Sequence, residues 1–284
     1  MSDEAIHAAA GEDCHLFGDN NCGFEEVAPG VEAFFPDPIL EFGLPLTAGI
    51  TKYTLLLVVS VLLVMGFWYI TTRKSAVVPG RLQSVAEMLV TFIRDQVTRQ
   101  QMGKEGDKYL PLMVTLFLFL FSMNVMGIIP GLQLPVTSHI AFPAALAVYV
   151  YVMWNAIGIK RHGVAGHFVA RVVPGGAPKW ILPLLVPIEI AQNFIARPVT
   201  HALRPFAAML SGHLLLAVFA VGGWYMLNLG AGGFLSVLSV GYSGIALVAF
   251  IVFTGFELFI MALQAYVFIM LASSYLGEAL EGAH

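Results

Sequence analysis

Between Arg204 and Glu257 no residue carries a charge, and uncharged apolar stretches recur along most of this 284-residue chain. A stretch of about 20 such residues suffices to cross a hydrocarbon core of roughly 30 Å. Residues 53–71, 109–130 and 138–159 meet that requirement without a charged side chain, and aromatic or basic residues mark their ends. They read as spanning helices. Only 11% of the residues are charged, against roughly 25% in an ordinary soluble domain, while 58% are hydrophobic and the mean hydropathy is +0.81. A soluble globular fold is therefore excluded. Nucleic-acid binding is excluded as well, because 14 Lys and Arg face 18 Asp and Glu with no basic cluster to displace counterions from a phosphate backbone.

The remaining segments have other characters. In residues 81–102, Leu82, Val85, Leu89, Phe92, Ile93 and Val97 recur at helical spacing among charged residues, which predicts an amphipathic helix lying along the membrane surface. Residues 180–229 and 234–280, separated by Gly230 to Gly233, are each far longer than one span requires. Each holds either two spans or one long tilted helix. Neither has a polar turn cluster at its midpoint, which favours a hairpin of two long tilted helices with Pro198 and Pro205 kinking the first. Residues 1–51 hold ten of the eighteen acids and no Lys or Arg, so they form a separate polar segment ahead of a membrane domain at 52–284. The expected fold class is an all-α polytopic membrane protein with about five spanning helices.

Orientation follows from the loops. Basic residues cluster after the first span, from Arg73 to Lys108, and after the third, at Lys160, Arg161, Arg171 and Lys179. By the positive-inside rule those connections are cytoplasmic, which puts the N-terminus outside and the C-terminus inside. Cys14 and Cys22 fall outside on this reading, where they form a disulfide or remain two free thiols.

Only Glu189, Arg197, Arg204 and Glu257 interrupt the apolar C-terminal half before Glu278. Charge inside a membrane is expensive, so these side chains should face protein or water-filled cavities, with His213, Asn193, Gln192 and Gln264 as companions. Interhelical hydrogen bonding is the plainer explanation for Gln192 and Asn193. Seven residues separate Glu257 from Gln264, one helical face and about 10.5 Å along the axis, so the two can line one path. Arg204 and His213 are close to half a turn out of phase and should face different surroundings. These are the materials of an ion pathway.

At these residues the chain resembles subunit a of the F-type ATP synthase. VPGRLQSVAEMLVTFIRDQV resembles that family's membrane-parallel helix, and YLPLMVTLFLFLFSMNVMGIIPG its helix marked by Asn124, Gly127, Pro130 and Gly131. RPVTHALRPFAAMLSGHLLL and ELFIMALQAYVFIMLASSYL are the most specific segments. The resemblance implies that Arg204 is the family's essential arginine, and that His213, Glu257 and Gln264 line aqueous half-channels. It gives weaker roles to Glu189, Asn193 and Asn124. It further implies a stator conducting protons past a rotating c-ring, with peripheral-stalk subunit b, the soluble F1 ATPase sector and membrane lipid as partners. A multi-pass place in the plasma membrane, no catalytic site and no cofactor or metal complete the expectation.

Departures from the family's pattern accompany the match. Where the family usually reads Arg-Leu-Phe-Gly-Asn-Met, this chain reads Arg204, Pro205, Phe206, Ala207, Ala208 and Met209, and His201 replaces a usual apolar residue. Two other classes share some of these features. Gly241-Tyr242-Ser243-Gly244 fits the G-x-S-G pattern of intramembrane serine proteases, but only His284 follows it to act as a base, and the glycines read as close helix packing. A secondary transporter would show an internal repeat with matching interrupted helices, which is missing. His162 and His167 lack a recognised metal-ligand spacing and are expected on a solvated cytoplasmic loop.

Overall fold

The computed structural model describes residues 40–41, 49–73, 80–129, 132, 134–172, 181–227 and 234–281. The acidic tail with Cys14 and Cys22, Pro79, Pro130, Gly131, Lys179 and the 230–233 connection lie outside the described residues. Two compact units are present, one joining Pro38–Leu210 with Ile260–His284, the other described over Ser211–Phe259.

The larger unit opens with a two-residue antiparallel pair, β1 (Leu40–Glu41) and β2 (Gly49–Ile50). Helices account for nearly everything else. In α1 (Lys52–Arg73) the residues Tyr53, Leu56, Ser60 and Val64 recur every three or four positions and are buried, while Leu55, Leu62, Met65 and Tyr69 point outward. An apolar outer face of that kind suits lipid rather than water. The amphipathic segment runs as α2 (Arg81–Ile93), a π-helical turn over Arg94–Thr98, and α3 (Arg99–Met102). Ala86, Ile93, Val97 and Met102 are its buried stripe. It stops at Gly103, whose φ of +62° is the left-handed conformation glycine tolerates best. Beyond it the Asp107 carboxylate accepts paired hydrogen bonds from Arg94 at 3.1–3.2 Å and from Arg99 at 2.9–3.1 Å.

α4 (Leu110–Val125) is apolar but only 16 residues long, shorter than the span expected over 109–130. The reason lies at its end, where Thr137 donates to the buried Asn124 side-chain oxygen and Gly127 lies against Pro135. A Cβ at Gly127 would come within 3.0 Å of that proline, so glycine permits the turn. α5 (Ala141–Val172) breaks at Gly163, with φ +73°. His167 is not on a solvated loop. It is buried beyond that break, with Nε2 3.1 Å from Asn155 Oδ1 and its ring against Trp154, while His162 Nε2 is 3.2 Å from the Ala279 carbonyl. The break at Gly163 lets the ring fold back against Trp154, thirteen residues earlier, with Phe168 beside it.

α6 (Leu182–Ile190), a π-helical turn at Ala191–Ala196 and α7 (Arg197–Leu227) make one continuous helical run of 46 residues. Pro198 has no N–H to offer the carbonyl four residues back, and the wider π turn falls where that bond is lost. α8 (Phe234–Glu281) is a single helix of 48 residues. At 1.5 Å per residue each run is roughly 70 Å long, about twice what crossing requires. Four described helical runs are long and apolar enough to span, with α4 a shorter apolar fifth. Within the larger unit α8 is the core: Met261, Ala265, Phe268, Ile269, Ala272, Leu276 and Ala279 are buried. Gly277 meets the Gln101 backbone carbonyl so closely that a side chain has no place there.

In the smaller unit the two long helices run antiparallel. Ser243 Oγ donates to the Gly223 carbonyl at 2.7 Å, and the Phe219 and Phe253 rings stack 5.1 Å apart. Most other α8 side chains here are outward-facing and apolar, among them Val237, Ile245, Val248, Ile251 and Val252.

Candidate functional site

Two arginines stand seven residues apart on α7 and meet different fates. Arg197 donates to Glu278 at 2.6 Å and lies over the rings of Trp154 and Tyr275, 5.6 and 5.2 Å from their centroids. Its charge is compensated within the larger unit. Arg204 is exposed, with Val199 and Leu203 exposed beside it, and it forms no ion pair among the described residues. Because guanidinium stays protonated at any physiological pH, an apolar helix face here presents a permanent uncompensated cation.

Gln264 lies on α8 in the same unit, 8% exposed, and its side-chain NH2 has no hydrogen-bond partner among the described residues. Glu189 and Asn193 come together on consecutive turns, with Asn193 Nδ2 donating to Glu189 Oε2 at 3.1 Å. Asn124 is buried and its side-chain oxygen is engaged by Thr137 at the end of α4, a turn-forming use.

Glu257 belongs to the smaller unit. It is 3% exposed, and neither carboxylate oxygen has a hydrogen-bond partner among the described residues. Its side chain faces α7 at Gly212, where an added Cβ would lie 3.1 Å from Oε1; His213 is the next residue. Glycine thus makes room for a carboxylate between two helices. An ionised carboxylate in apolar surroundings without hydrogen bonds is strongly disfavoured, so this group calls for a proton, water or a cation.

In the sequence His201 stands out only as a departure from the family's pattern. The structure buries it to 2% exposure against Phe268 and Tyr275, ring centroids 3.9 and 5.7 Å away. Ser243, the one serine in the protease-like pattern, spends its hydroxyl on a helix carbonyl. Among the described residues no group of three or more His, Cys, Asp or Glu is placed to hold a metal ion.

Long apolar helices, four of them long enough to span, define a polytopic, all-α membrane protein. The family model described as ATP synthase A chain matches residues 54–277. ATP synthase subunit a of Streptomyces lividans is 41% identical over 280 residues, covering 96% of this chain and 92% of that protein. ATP synthase subunit a of a Nocardioides strain is 39% identical with 86% of each chain covered, and that of Rhodospirillum rubrum 38% with 88% and 97% covered. The chain belongs to the ATP synthase A chain family. It is a multi-pass membrane subunit of an ATP synthase complex, with a part in ATP synthesis and ion transport alongside other subunits of that complex.

Proposed function

We propose that this subunit is the stator that conducts protons past a rotating c-ring through two aqueous half-channels. The observation that carries the reading is Arg204, exposed and without an ion-pair partner among the described residues while Arg197 on the same helix is fully paired. An exposed arginine on an apolar face is stable in a membrane only opposite a carboxylate or water. A carboxylate on a ring helix meets that need. It is held deprotonated beside Arg204, is kept from entering lipid charged, and is screened from direct proton leakage by the positive charge. Glu257, with Gln264 further along α8 and His213 beside its Gly212 neighbour, serves the entry half-channel. Glu189 and Asn193 are assigned a lesser part in the path, and Asn124 a part through the turn it fixes.

The N-terminus faces outward and the C-terminus the cytoplasm, in the plasma membrane, with peripheral-stalk subunit b and the soluble F1 ATPase sector completing the stator and the motor. Impermeant thiol labelling of Cys14 from outside intact cells, after reduction, is expected; labelling only from the cytoplasmic side would reverse the orientation. The ring contact has its own test. Ala207→Cys, one turn beyond Arg204 on the exposed face, should form a disulfide with a cysteine placed beside the ring carboxylate. Absence of that product, with a cysteine on the buried Met209 side reacting instead, would place the ring elsewhere.

A further inference from the structure

α7 begins directly after the π-helical turn at Ala191–Ala196, and that turn separates its rotation from that of α6. A π turn takes in one residue more than an α turn, and at 3.6 residues per turn one residue corresponds to about 100°. Were the turn to relax to α geometry, every later side chain of α7 would swing by that amount. The backbone does little to prevent it, because Pro198 and Pro205 offer no N–H to the carbonyls of Phe194 and His201. The direction in which α7 faces must therefore be fixed by side-chain contacts made after the turn.

Arg197, the first residue of α7, makes such contacts with two other helices. Its guanidinium donates to Glu278 of α8 at 2.6 Å and lies 5.6 Å from the ring centroid of Trp154 on α5 and 5.2 Å from that of Tyr275 on α8. A planar guanidinium pairs with a carboxylate and stacks on aromatic faces at once, so these contacts fix orientation as well as position. Stability is a poor explanation for them. The Glu278 side chain is 44% exposed, and exposed ion pairs add little. Arg204 follows seven residues later, about 10.5 Å along the axis and about 20° short of two full turns. The rotation that seats Arg197 therefore sets where Arg204 points.

We propose that Arg197 is a positioning residue, whose seat against Glu278, Trp154 and Tyr275 holds α7 in the rotation that turns Arg204 outward to the c-ring. The inference rests on the stator reading above. Arg197 touches neither the ring carboxylate nor the proton; it acts through Arg204. With the seat lost, the π turn is free to relax and α7 to turn. At a radius of about 6 Å, a swing of only 20° carries the Arg204 guanidinium about 2 Å. Where geometry controls a step, misplacement by even about 1 Å can cost roughly 100-fold in rate.

The test uses the assembled complex in inverted membrane vesicles and compares Arg197→Ala, Arg197→Lys, Glu278→Gln and Arg204→Ala. ATP-driven proton uptake is one readout, and the disulfide yield between Ala207→Cys and a cysteine beside the ring carboxylate is the other. In Arg197→Ala uptake should fall about tenfold, short of the roughly 100-fold limit because the long Arg204 side chain reaches part of the way back. Disulfide yield at Ala207→Cys should fall with it, while Ala208→Cys, about 100° further round α7, gains. Arg197→Lys keeps the ion pair without the planar stack and should lie between Arg197→Ala and wild type in both readouts. A packing role predicts less complex but an unchanged disulfide pattern in what assembles. That pattern, or wild-type uptake in Arg197→Ala, would overturn the proposal. Should Arg197→Ala not assemble, the milder Glu278→Gln is read in the same way, and failure of both to assemble also overturns it. Arg204→Ala separates the two claims: normal uptake there sinks the stator reading itself, whereas an inactive Arg204→Ala beside a fully active Arg197→Ala removes only the positioning role.

Discussion

Gly212→Ala offers a quantitative test of the buried carboxylate. The new methyl group would stand 3.1 Å from Glu257 Oε1 and 3.5 Å from Cδ, so the oxygen must retreat by a few tenths of an ångström. Glu257 can give way only by leaving its preferred rotamer, at a cost on the order of 0.5–1.5 kcal/mol. If proton transfer through this position limits flow, that displacement lowers the rate by roughly two- to tenfold, since 1.36 kcal/mol is a factor of ten. Gly212→Val, whose extra carbons would occupy the carboxylate's own position, should abolish flow. Passive proton conductance of vesicles stripped of the soluble sector gives the rate, and immunoblotting of the membrane complex gives assembly. Unchanged conductance in both variants, with normal assembly, would show that Glu257 is not in the path.

Other consequences are open to direct measurement. Arg99 and then Arg94 hold the Asp107 carboxyl well below the usual carboxylate range. A depressed value means that the pairing stabilises fully above the unfolded value near about 3.9 and is lost only as pH falls through the lower folded one. Hydrogen-exchange protection factors over residues 94–108, taken relative to the intrinsic rate at each pH, should therefore be unchanged from neutral pH down to about pH 5 and lower in Asp107→Asn throughout; equal protection in the variant would contradict the cluster. Thr137→Val leaves the Asn124 oxygen buried without its donor and should destabilise by roughly 1–3 kcal/mol, seen as less assembled complex at elevated temperature. Ser243→Ala removes one interhelical hydrogen bond, worth about 0.6 kcal/mol in a membrane, and should leave ATP synthesis intact. Loss of synthesis in that variant would reopen a chemical role for the serine.

Much of the architecture was legible because its signals are one-dimensional. The periodicity of Leu82, Val85, Leu89 and Phe92 marks α2, and the want of any polar cluster midway through 234–280 marks one long helix, as α8 proves to be. The arginine difference was not legible. The resemblance singles out Arg204, but by residue type and apolar setting Arg197 and Arg204 read alike until the fold brings Glu278, 81 residues away, to one of them and no carboxylate among the described residues to the other. The short α4 depends on Thr137 reaching back to Asn124, and the burial of His167 on a helix break at Gly163. His201 left one trace in the sequence, an imidazole four residues before a proline inside an apolar helix, a pairing that loses a backbone bond where a polar ring already needs partners.

The central claim is that Arg204 serves the ring and not the packing of its own chain. The decisive measurement is ATP synthesis under an imposed proton-motive force in membranes carrying Arg204→Ala, with assembly checked on the same material. An arginine that is exposed and has no ion pair among the described residues should be dispensable for assembly, so the account predicts a complete complex that makes no ATP. Coupled synthesis at the wild-type rate, or a complex that fails to assemble, would contradict it.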